Sequence, residues 1–277
     1  MKLKELKAEL VDKASKLENP NLEVRLCIEK ALGMSLTEQL LYQEREISDK
    51  EYSIINTLLN TRLSGIPMAY ILGYKEFYGH TFKVTEDTLI PRPDTELIVE
   101  ESLKIAKAKH NPRILDLCTG TGAIAASIAY DLNSPVSFSD ISPKALEVAK
   151  YNYKNITGEE GCGRLGSLFE PWGNEKFDII VTNPPYLTRA WYEETEIEVK
   201  KEPKLALIDD AEDGLDIIRA IINTSPEHLT SDGYLFIEGD YRQMEKCAKL
   251  LSLNGFKDVH ILKDLANKDR VVYGRRD

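Results

Sequence analysis

The spacing of apolar residues along this chain of 277 residues changes once, near residue 64. Before that point apolar side chains recur every three or four residues, as at Leu3, Leu6 and Leu10, which is the period of an amphipathic helix. Asn19-Pro20 is predicted to end this first helix. Two later helices are predicted to begin at capping boxes, Ser35 with Glu38 and Ser48 with Glu51. Residues 1–74 are therefore predicted to form a helical domain.

The pattern then changes to a period of two, followed by alternating helices and strands. Phe77, Phe82 and Val84 alternate around Gly79-His80, which predicts a β-hairpin linker over residues 75–90. Over residues 91–277 the alternation predicts an α/β fold, with a Rossmann-like and mostly parallel sheet of seven strands. The strands are predicted at 114–117, 136–140, 162–166, 177–182, 233–238, 257–263 and 270–274.

The tetrapeptide Asn183-Pro184-Pro185-Tyr186 directly follows the apolar strand predicted at 177–182. Ligands of open α/β sheets bind beyond the carboxyl ends of the strands, so this tetrapeptide is a candidate binding loop. Its prolines fix φ and lack N–H groups, which makes the loop stiff and leaves its carbonyls free to face a ligand. Carbonyl oxygens and the flat Tyr186 ring suit a planar amide or amidine nitrogen. A proline turn without a function is the alternative interpretation.

A second motif, from Ile114 to Ala125, combines a strand, a tight glycine turn and the start of a helix. Gly120 and Gly122 permit close approach of the backbone to a ligand. Asp140 ends the next strand, where an acid can accept hydrogen bonds from a ribose diol or serve a helix N-terminus. Because Ala125 replaces the third glycine of a dinucleotide motif, the pattern favours S-adenosylmethionine over NAD.

Composition narrows the classes of function. A net charge of −10 and a pI near 5.1 argue against a dominant nucleic-acid surface. The four cysteines and four histidines lack paired spacing, so we predict free thiols and no metal site. No apolar run has membrane-spanning length, and the charged start does not resemble a signal peptide. We therefore expect a cytoplasmic, monomeric enzyme without direct contact to nucleic acid.

Together the motifs resemble those of the class I S-adenosylmethionine methyltransferases, and more narrowly those of the HemK/PrmC family. Members of that family methylate the N5 atom of a glutamine in peptide chain release factors. The resemblance extends from about residue 60 to the C-terminus. The tetrapeptide alone is shared with amino-methyltransferases acting on adenine and cytosine. The glutamine branch is distinguished by the stretches Tyr70-Ile71-Leu72-Gly73 and Pro91-Arg92-Pro93-Asp94-Thr95-Glu96.

The resemblance implies methyl transfer from S-adenosylmethionine to the glutamine of a Gly-Gly-Gln motif in class 1 release factors, with S-adenosylhomocysteine as product. It implies that the Asn183 side-chain oxygen and the Pro184 carbonyl accept the substrate N–H groups, next to the Tyr186 ring. The other substrate-binding residues that it implies are Pro185, Leu89 and Arg92. The cofactor-binding residues that it implies are Asp116, Cys118, Thr119, Gly120, Thr121, Gly122, Asp140, Ile141, Ser167, Leu168 and Asn183.

Three parts of the chain depart from the family pattern, one of them being Asp209-Asp210-Ala211 in place of a run that contains glycine. Cys118 stands where the family has glycine, and Ser167 stands where an aspartate reads the adenine amino group. A hydroxyl accepts that hydrogen bond more weakly than a carboxylate, so the affinity for the cofactor stays open. Arg92 is expected to pair with carboxylates such as Glu202. The stretch 187–213 has no clear period, and we predict that it forms a lid over the substrate. We also predict that the helical domain, residues 1–74, recognises the substrate protein.

Two other functions stay open from the residues alone. The acceptor could instead be a glutamine of a ribosomal protein, or an amino group of adenine or cytosine. The chain could also bind the cofactor without catalysis and dock on the translation machinery through its helical domain. The complete tetrapeptide argues against a module without catalysis, and the low pI argues against a nucleic-acid substrate.

Overall fold

The computed structural model describes every residue from Met1 to Asp277, and these residues form two units. The first unit contains Met1–Gly73 together with Ile197–Lys201. The second contains Tyr74–Glu196 together with Glu202–Asp277, so the hairpin belongs to the second unit. The recognition role predicted for the helical part stays a prediction.

The first unit is helical. Both predicted capping boxes are present, with the hydroxyls of Ser35 and Ser48 accepting from the main chain of the first helical turns. The first helix ends at Lys13, earlier than predicted, because the Asn19 side chain accepts from the Leu22 N–H and so begins the second helix instead. The helices are α1 (Leu3–Lys13), α2 (Pro20–Leu32), α3 (Leu36–Leu41), α4 (Asp49–Leu63) and α5 (Met68–Leu72).

Ion pairs of the buried Arg62 side chain attach residues 197–201 to the rest of the first unit. The Arg62 side chain is 7% exposed, and its Nε donates to the Glu23 Oε2 atom at 3.0 Å. The same guanidinium pairs with Glu198. Gly65 approaches this segment so closely that a Cβ atom there would lie 2.5 Å from the Ile197 Cγ2 atom. These contacts connect the segment to α2 and α4.

The second unit contains a hairpin of β1 (Tyr74–Phe77) and β2 (His80–Lys83) and a seven-stranded sheet. Six of the helices of the chain belong to it: α6 (Glu96–Ala108), α7 (Ala123–Leu132), α8 (Pro143–Thr157), α9 (Arg189–Glu194), α10 (Asp216–His228) and α11 (Met244–Leu253). The sheet strands are β3 (Ile114–Leu117), β4 (Val136–Asp140), β5 (Cys162–Leu165), β6 (Phe177–Thr182), β7 (Leu229–Glu238), β8 (Phe256–Lys263) and β9 (Asp269–Arg276). None of the helices is long and apolar enough to cross a membrane.

The sheet has the order β5-β4-β3-β6-β7-β9-β8, and only β9 runs antiparallel to its neighbours. The predicted α/β fold class and all seven predicted strands are confirmed. Strand β7 begins at Leu229, earlier than predicted. The prediction left out its first residues because the polar residues 230–232 show no apolar pattern. The strand order reverses at β3, which pairs with β4 on one side and β6 on the other. At such a reversal a crevice forms beyond the carboxyl ends of the strands.

Apolar clusters cover both faces of this sheet. Ile114, Ile179 and Val181 belong to the cluster on one face, and Leu115 and Ile180 belong to the cluster on the other. Strands buried on both faces are continuous apolar runs, which explains why β3 and β6 were easily recognised in the sequence. The burial fixes these two strands firmly below the crevice.

Replacing Arg62 by methionine is expected to lower the free energy of unfolding by about 3 kcal/mol, because Glu23 then keeps a largely buried charge without its partner. Urea denaturation followed by circular dichroism measures this. The control Lys154→Ala removes an exposed cation paired with Glu160 and should leave the unfolding curve unchanged. Equal curves for Arg62→Met and the parent protein would contradict a stabilising role for this pair.

Candidate active site

A cavity of about 380 Å³ opens at the carboxyl ends of the central strands. This volume lies within the range of small-molecule sites. It is bordered by the glycine loop after β3, the end of β4, the turn after β5 and the tetrapeptide after β6. Twelve of the predicted site residues line it: Leu89, Arg92, Cys118, Thr119, Gly120, Thr121, Asp140, Ile141, Ser167, Leu168, Asn183 and Pro185.

Four predicted residues, Asp116, Gly122, Pro184 and Tyr186, lie around this cavity without being part of its lining. Asp116 is fully buried, and its Oδ2 atom accepts from the Thr119 hydroxyl at 2.6 Å and from a helix N–H. Burial raises the pKa of Asp116 to about 7. The hydrogen bonds of Asp116 therefore hold the glycine loop and the start of α7 in place.

The glycine loop has a left-handed backbone at three positions. Cys118, Gly120 and Gly122 have φ values of +57°, +55° and +76°. A cysteine at such a φ is strained, which explains why glycine is usual at position 118. Burial raises the pKa of the Cys118 thiol to about 12, so it stays neutral. At Gly122 a Cβ atom would lie 3.1 Å from Ala149, because α7 packs closely on α8 here.

Asp140 lies at the end of β4 and faces the loop. Its Oδ2 atom accepts from the Gly120 N–H and its Oδ1 atom from the Ser142 N–H, both at 2.8 Å. Each carboxylate oxygen can accept a second bond, so one acceptor site per oxygen is left for a pair of hydroxyl groups. Burial raises the pKa of Asp140, and the backbone bonds favour its charged form.

The Asn183 side chain is held by Thr95, which is held in turn by Glu238, and the sequence analysis assigned neither residue to the site. Its Nδ2 atom donates to the Thr95 hydroxyl at 3.4 Å, and that hydroxyl donates to the Glu238 Oε1 atom at 3.1 Å. Burial raises the pKa of Glu238 to about 7, while Thr95 and Arg270 oppose this shift. Glu238 ends strand β7, so its position at the carboxyl edge of the sheet was a usable signal.

The main chain after the tetrapeptide is clamped by Gln243. Its Nε2 atom donates to the carbonyls of Tyr186 at 2.9 Å and Asp213 at 2.8 Å. Gly214 lies so close that a Cβ atom there would be 2.4 Å from the Tyr186 carbonyl oxygen. Tyr186 itself is half-buried and packs against the core on one face of the sheet. The contacts of Gln243 and Gly214 therefore fix the main chain at Tyr186, the last residue of the tetrapeptide.

Arg92 and Glu202 join two segments of the cavity wall. The predicted ion pair between them is present. Arg92 also donates to the Ile90 carbonyl at 3.0 Å, and Glu202 accepts from the Ile90 N–H at 2.9 Å. Both joined segments contribute to the lining of the cavity, the first with Asp87, Thr88, Leu89, Pro91 and Arg92 and the second with Pro203, Leu205 and Ala206.

The stretch 187–213 is anchored at several points. A parallel bridge pairs Leu187 with Ile208, and α9 forms within the stretch. The Arg242 guanidinium lies 3.6 Å from the centre of the Trp191 ring, a cation–π contact that holds α9. Pro203, Leu205 and Ala206 line the cavity. Closure of this stretch over a substrate stays a prediction.

The residues of the cavity fit a nucleoside cofactor that carries no pyrophosphate. Asp140 has acceptor capacity for the two ribose hydroxyls. A Cβ atom at Gly120, which lines the cavity, would meet no atom within 4 Å, so the loop leaves open room there. Ile141 and Leu168 add apolar surface for a base, and Ser167 adds a hydroxyl.

Comparisons with known proteins agree with this fit. Residues 3–73 match the PrmC N-terminal domain, and residues 94–200 match the methyltransferase small domain. The chain is 37% identical to a release factor glutamine methyltransferase of Bordetella pertussis, over 92% of this chain and 94% of that protein. It is also 37% identical to one of Geobacter sulfurreducens, over 94% and 90%. A solved methyltransferase of Pyrococcus furiosus, 16% identical, superposes with a TM-score of 0.54 over 80% of this chain and 98% of that chain.

The match to the methyltransferase small domain and the methyltransferase relatives, together with the sheet and its cavity, identify an S-adenosylmethionine-dependent methyltransferase of class I fold. The likeness to the Pyrococcus structure supports the fold alone. Because the two relatives match nearly the whole chain at 37% identity, the chain belongs to the release factor glutamine methyltransferase family. The family resemblance read from the sequence is thus confirmed.

Asp140→Ala is expected to weaken binding of S-adenosylmethionine by about 1.5–3 kcal/mol, since charge-assisted hydrogen bonds to the ribose are lost. This corresponds to roughly 10- to 150-fold in the dissociation constant, which calorimetry measures. Glu147→Ala, an exposed charge removal on α8, is the control and should bind as the parent protein does. Unchanged affinity in a folded Asp140→Ala protein would rule out the ribose contact.

Proposed function

We propose that this chain methylates the side-chain amide nitrogen of the glutamine in the Gly-Gly-Gln motif of class 1 release factors. The observation that carries the proposal is that Asn183, Pro185 and the glycine loop open into one cavity. A donor bound on the loop and an acceptor bound on the tetrapeptide therefore meet in the same enclosed space. Membership of the family supports the choice of substrate.

The chemical difficulty of this reaction lies in the acceptor, because the lone pair of an amide nitrogen is delocalised into its carbonyl. S-adenosylmethionine supplies an electrophilic methyl group on a sulfonium. In our proposal the Asn183 Oδ1 atom and the Pro184 carbonyl accept the two N–H groups of the glutamine and turn its nitrogen towards that methyl group. Both oxygens bind the nitrogen more strongly as it becomes cationic, which stabilises the transition state.

The Tyr186 ring would add a cation–π contribution of about 0.5–2 kcal/mol to the same charge. Burial raises the pKa of the Tyr186 hydroxyl, so the ring stays neutral. Leu89 and Arg92, which line the cavity, would pack along the glutamine side chain. No strong base is required, because the nitrogen becomes acidic once it carries the methyl group.

The proposal also covers the location, the oligomeric state and the partners of the enzyme. We place it in the cytoplasm, where release factors act, as a monomer that makes no direct contact with nucleic acid. The net charge of −10 supports the last point, because a nucleic-acid surface is normally basic. The helical unit would recognise the folded release factor, since selecting one glutamine requires contacts beyond a single side chain.

Asn183→Ala is expected to lower the turnover rate at least 10- to 150-fold, taking roughly 1.5–3 kcal/mol for a lost bond to a charged group. The apparent affinity for the release factor should change little, because the lost bond forms mainly in the transition state. Steady-state methylation with labelled cofactor measures both quantities. The control Asn174→Ala, at an exposed position, should behave as the parent protein does.

Mass mapping of the product tests the substrate in the same assay. The methyl group should lie on the glutamine of Gly-Gly-Gln, and a release factor with Gln→Ala at that position should accept none. Label on an oligonucleotide, with the release factor unmodified under matched conditions, would overturn the glutamine assignment.

A chain that begins at Lys75 is expected to keep cofactor affinity, because all residues lining the cavity lie beyond that point. Its methylation of the intact release factor should be lost, while a short Gly-Gly-Gln peptide at high concentration should still be methylated. Full-length Arg62→Met controls for the loss of the Glu198 contact that the truncation also removes. Full activity of the truncated chain on the intact release factor would disprove the recognition role.

A further inference from the structure

Thr95 and Glu238 form a hydrogen-bonded chain that ends at the Asn183 side chain. Thr95 closes the short turn before α6, and Glu238 ends β7. Strand β7 pairs with β6 up to Ile237 opposite Thr182, so Glu238 and Asn183 follow directly from neighbouring strand ends. Thr95 is 4% exposed and Glu238 is 2% exposed. Thr95 belongs to the lining of the cavity, and Glu238 is buried behind it.

The direction of donation along this chain follows from chemistry. An ionised carboxylate can only accept, so Glu238 takes the single hydrogen of the Thr95 hydroxyl. The Thr95 oxygen is then left to accept, and only the NH₂ end of the Asn183 amide can donate to it. The Asn183 oxygen must lie on the opposite side of the amide, away from Thr95.

This orientation matters because a side-chain amide presents opposite chemistry at its two ends. The oxygen of Asn183 can accept an N–H of a substrate amide. Its NH₂ end cannot, because the donors of Asn183 would then face the donors of the substrate. We propose that Thr95 and Glu238 are positioning residues, which hold the Asn183 amide so that its oxygen faces the acceptor nitrogen. This inference rests on the proposed role of Asn183.

The direction of hydrogen-bond donation depends on the negative charge of Glu238. Its Oε2 atom is buried without a hydrogen-bond partner. Burial raises the pKa of Glu238 to about 7, so the neutral carboxyl prevails below that pH and the carboxylate above it. A neutral carboxyl can donate to Thr95 and reverse the chain. The charged or titratable groups that act on Glu238 are Arg270, Arg92, Asp94 and Tyr186, and Asp240 acts on Tyr186 from the same side.

Thr95→Val keeps the shape of the side chain and removes its hydroxyl. We expect it to lower the turnover rate roughly 10-fold, with the Michaelis constant for the release factor and the affinity for S-adenosylmethionine unchanged. Thr95→Ser keeps the hydroxyl and should restore most of the turnover. Parent-like turnover of Thr95→Val would overturn the inference. A Thr95→Ser protein as slow as Thr95→Val would also overturn it, since packing would then be the cause.

A double variant tests whether Thr95 acts through Asn183. Thr95→Val should cause no further loss of turnover in an Asn183→Ala background, because the amide that it positions is gone. The same 10-fold loss in that background would overturn the inference. A fully active Asn183→Ala protein would instead contradict the proposed function, so the two failures are distinguishable.

Glu238→Gln tests the charge. The parent turnover rate is expected to fall as the pH decreases through about 7, as the carboxylate becomes neutral. Glutamine does not titrate, so the variant should lose this step, measured with saturating cofactor between pH 6 and 9. Its melting temperature at pH 8 should be no lower than that of the parent, which excludes unfolding as a cause. An unchanged acid limb in the variant would show that another group controls the rate.

Discussion

The parallel pairing of β3 with β6 is the constraint on which the site depends. Leu117 lies opposite Thr182 at the carboxyl ends of these strands, and the Thr182 hydroxyl donates to the Leu117 carbonyl at 2.9 Å. The glycine loop and the tetrapeptide begin at the next residues, so this register places them side by side. A slip of one residue would turn the alternating side chains to the opposite faces of the sheet. Such a slip is prevented by the apolar clusters on both faces.

Three carboxyl groups lie at the same edge of the sheet, two of them buried and that of Asp140 partly buried. Asp116, Asp140 and Glu238 lie at or near the ends of β3, β4 and β7, and burial raises the pKa of each. Buried carboxylates cost stability unless hydrogen bonds compensate for lost water. Both oxygens of Asp140 receive such bonds, whereas Asp116 and Glu238 each keep one buried oxygen without a partner. Groups that are held at such a cost are typical of functional sites.

The sequence predicted the parts of this structure that depend on local patterns. The strands β3 and β6 were found because they are continuous apolar runs, and Asn183 was found because it directly follows β6. Asp140 was found because it ends the strand after the glycine loop. Thr95 was noted only as part of a motif and Glu238 was not selected at all, since the contact between them joins residues 143 positions apart. The membership of Ile197–Lys201 in the helical unit was missed for the same reason. It depends on the long-range Arg62–Glu198 pair, within a stretch that shows no period.

The fold and the site carry different information. The Pyrococcus methyltransferase shares the sheet at 16% identity, so this architecture tolerates very different sequences. The sheet supplies a crevice and a place for a nucleoside, but hydrogen-bonding groups at its edge decide which nitrogen can react. A side-chain amide is ambiguous, because its two ends differ in chemistry but hardly in shape. The carboxylate of Glu238 removes that ambiguity through the Thr95 hydroxyl. It can do so only because the sheet places Glu238 next to Asn183 and the turn before α6 brings Thr95 between them.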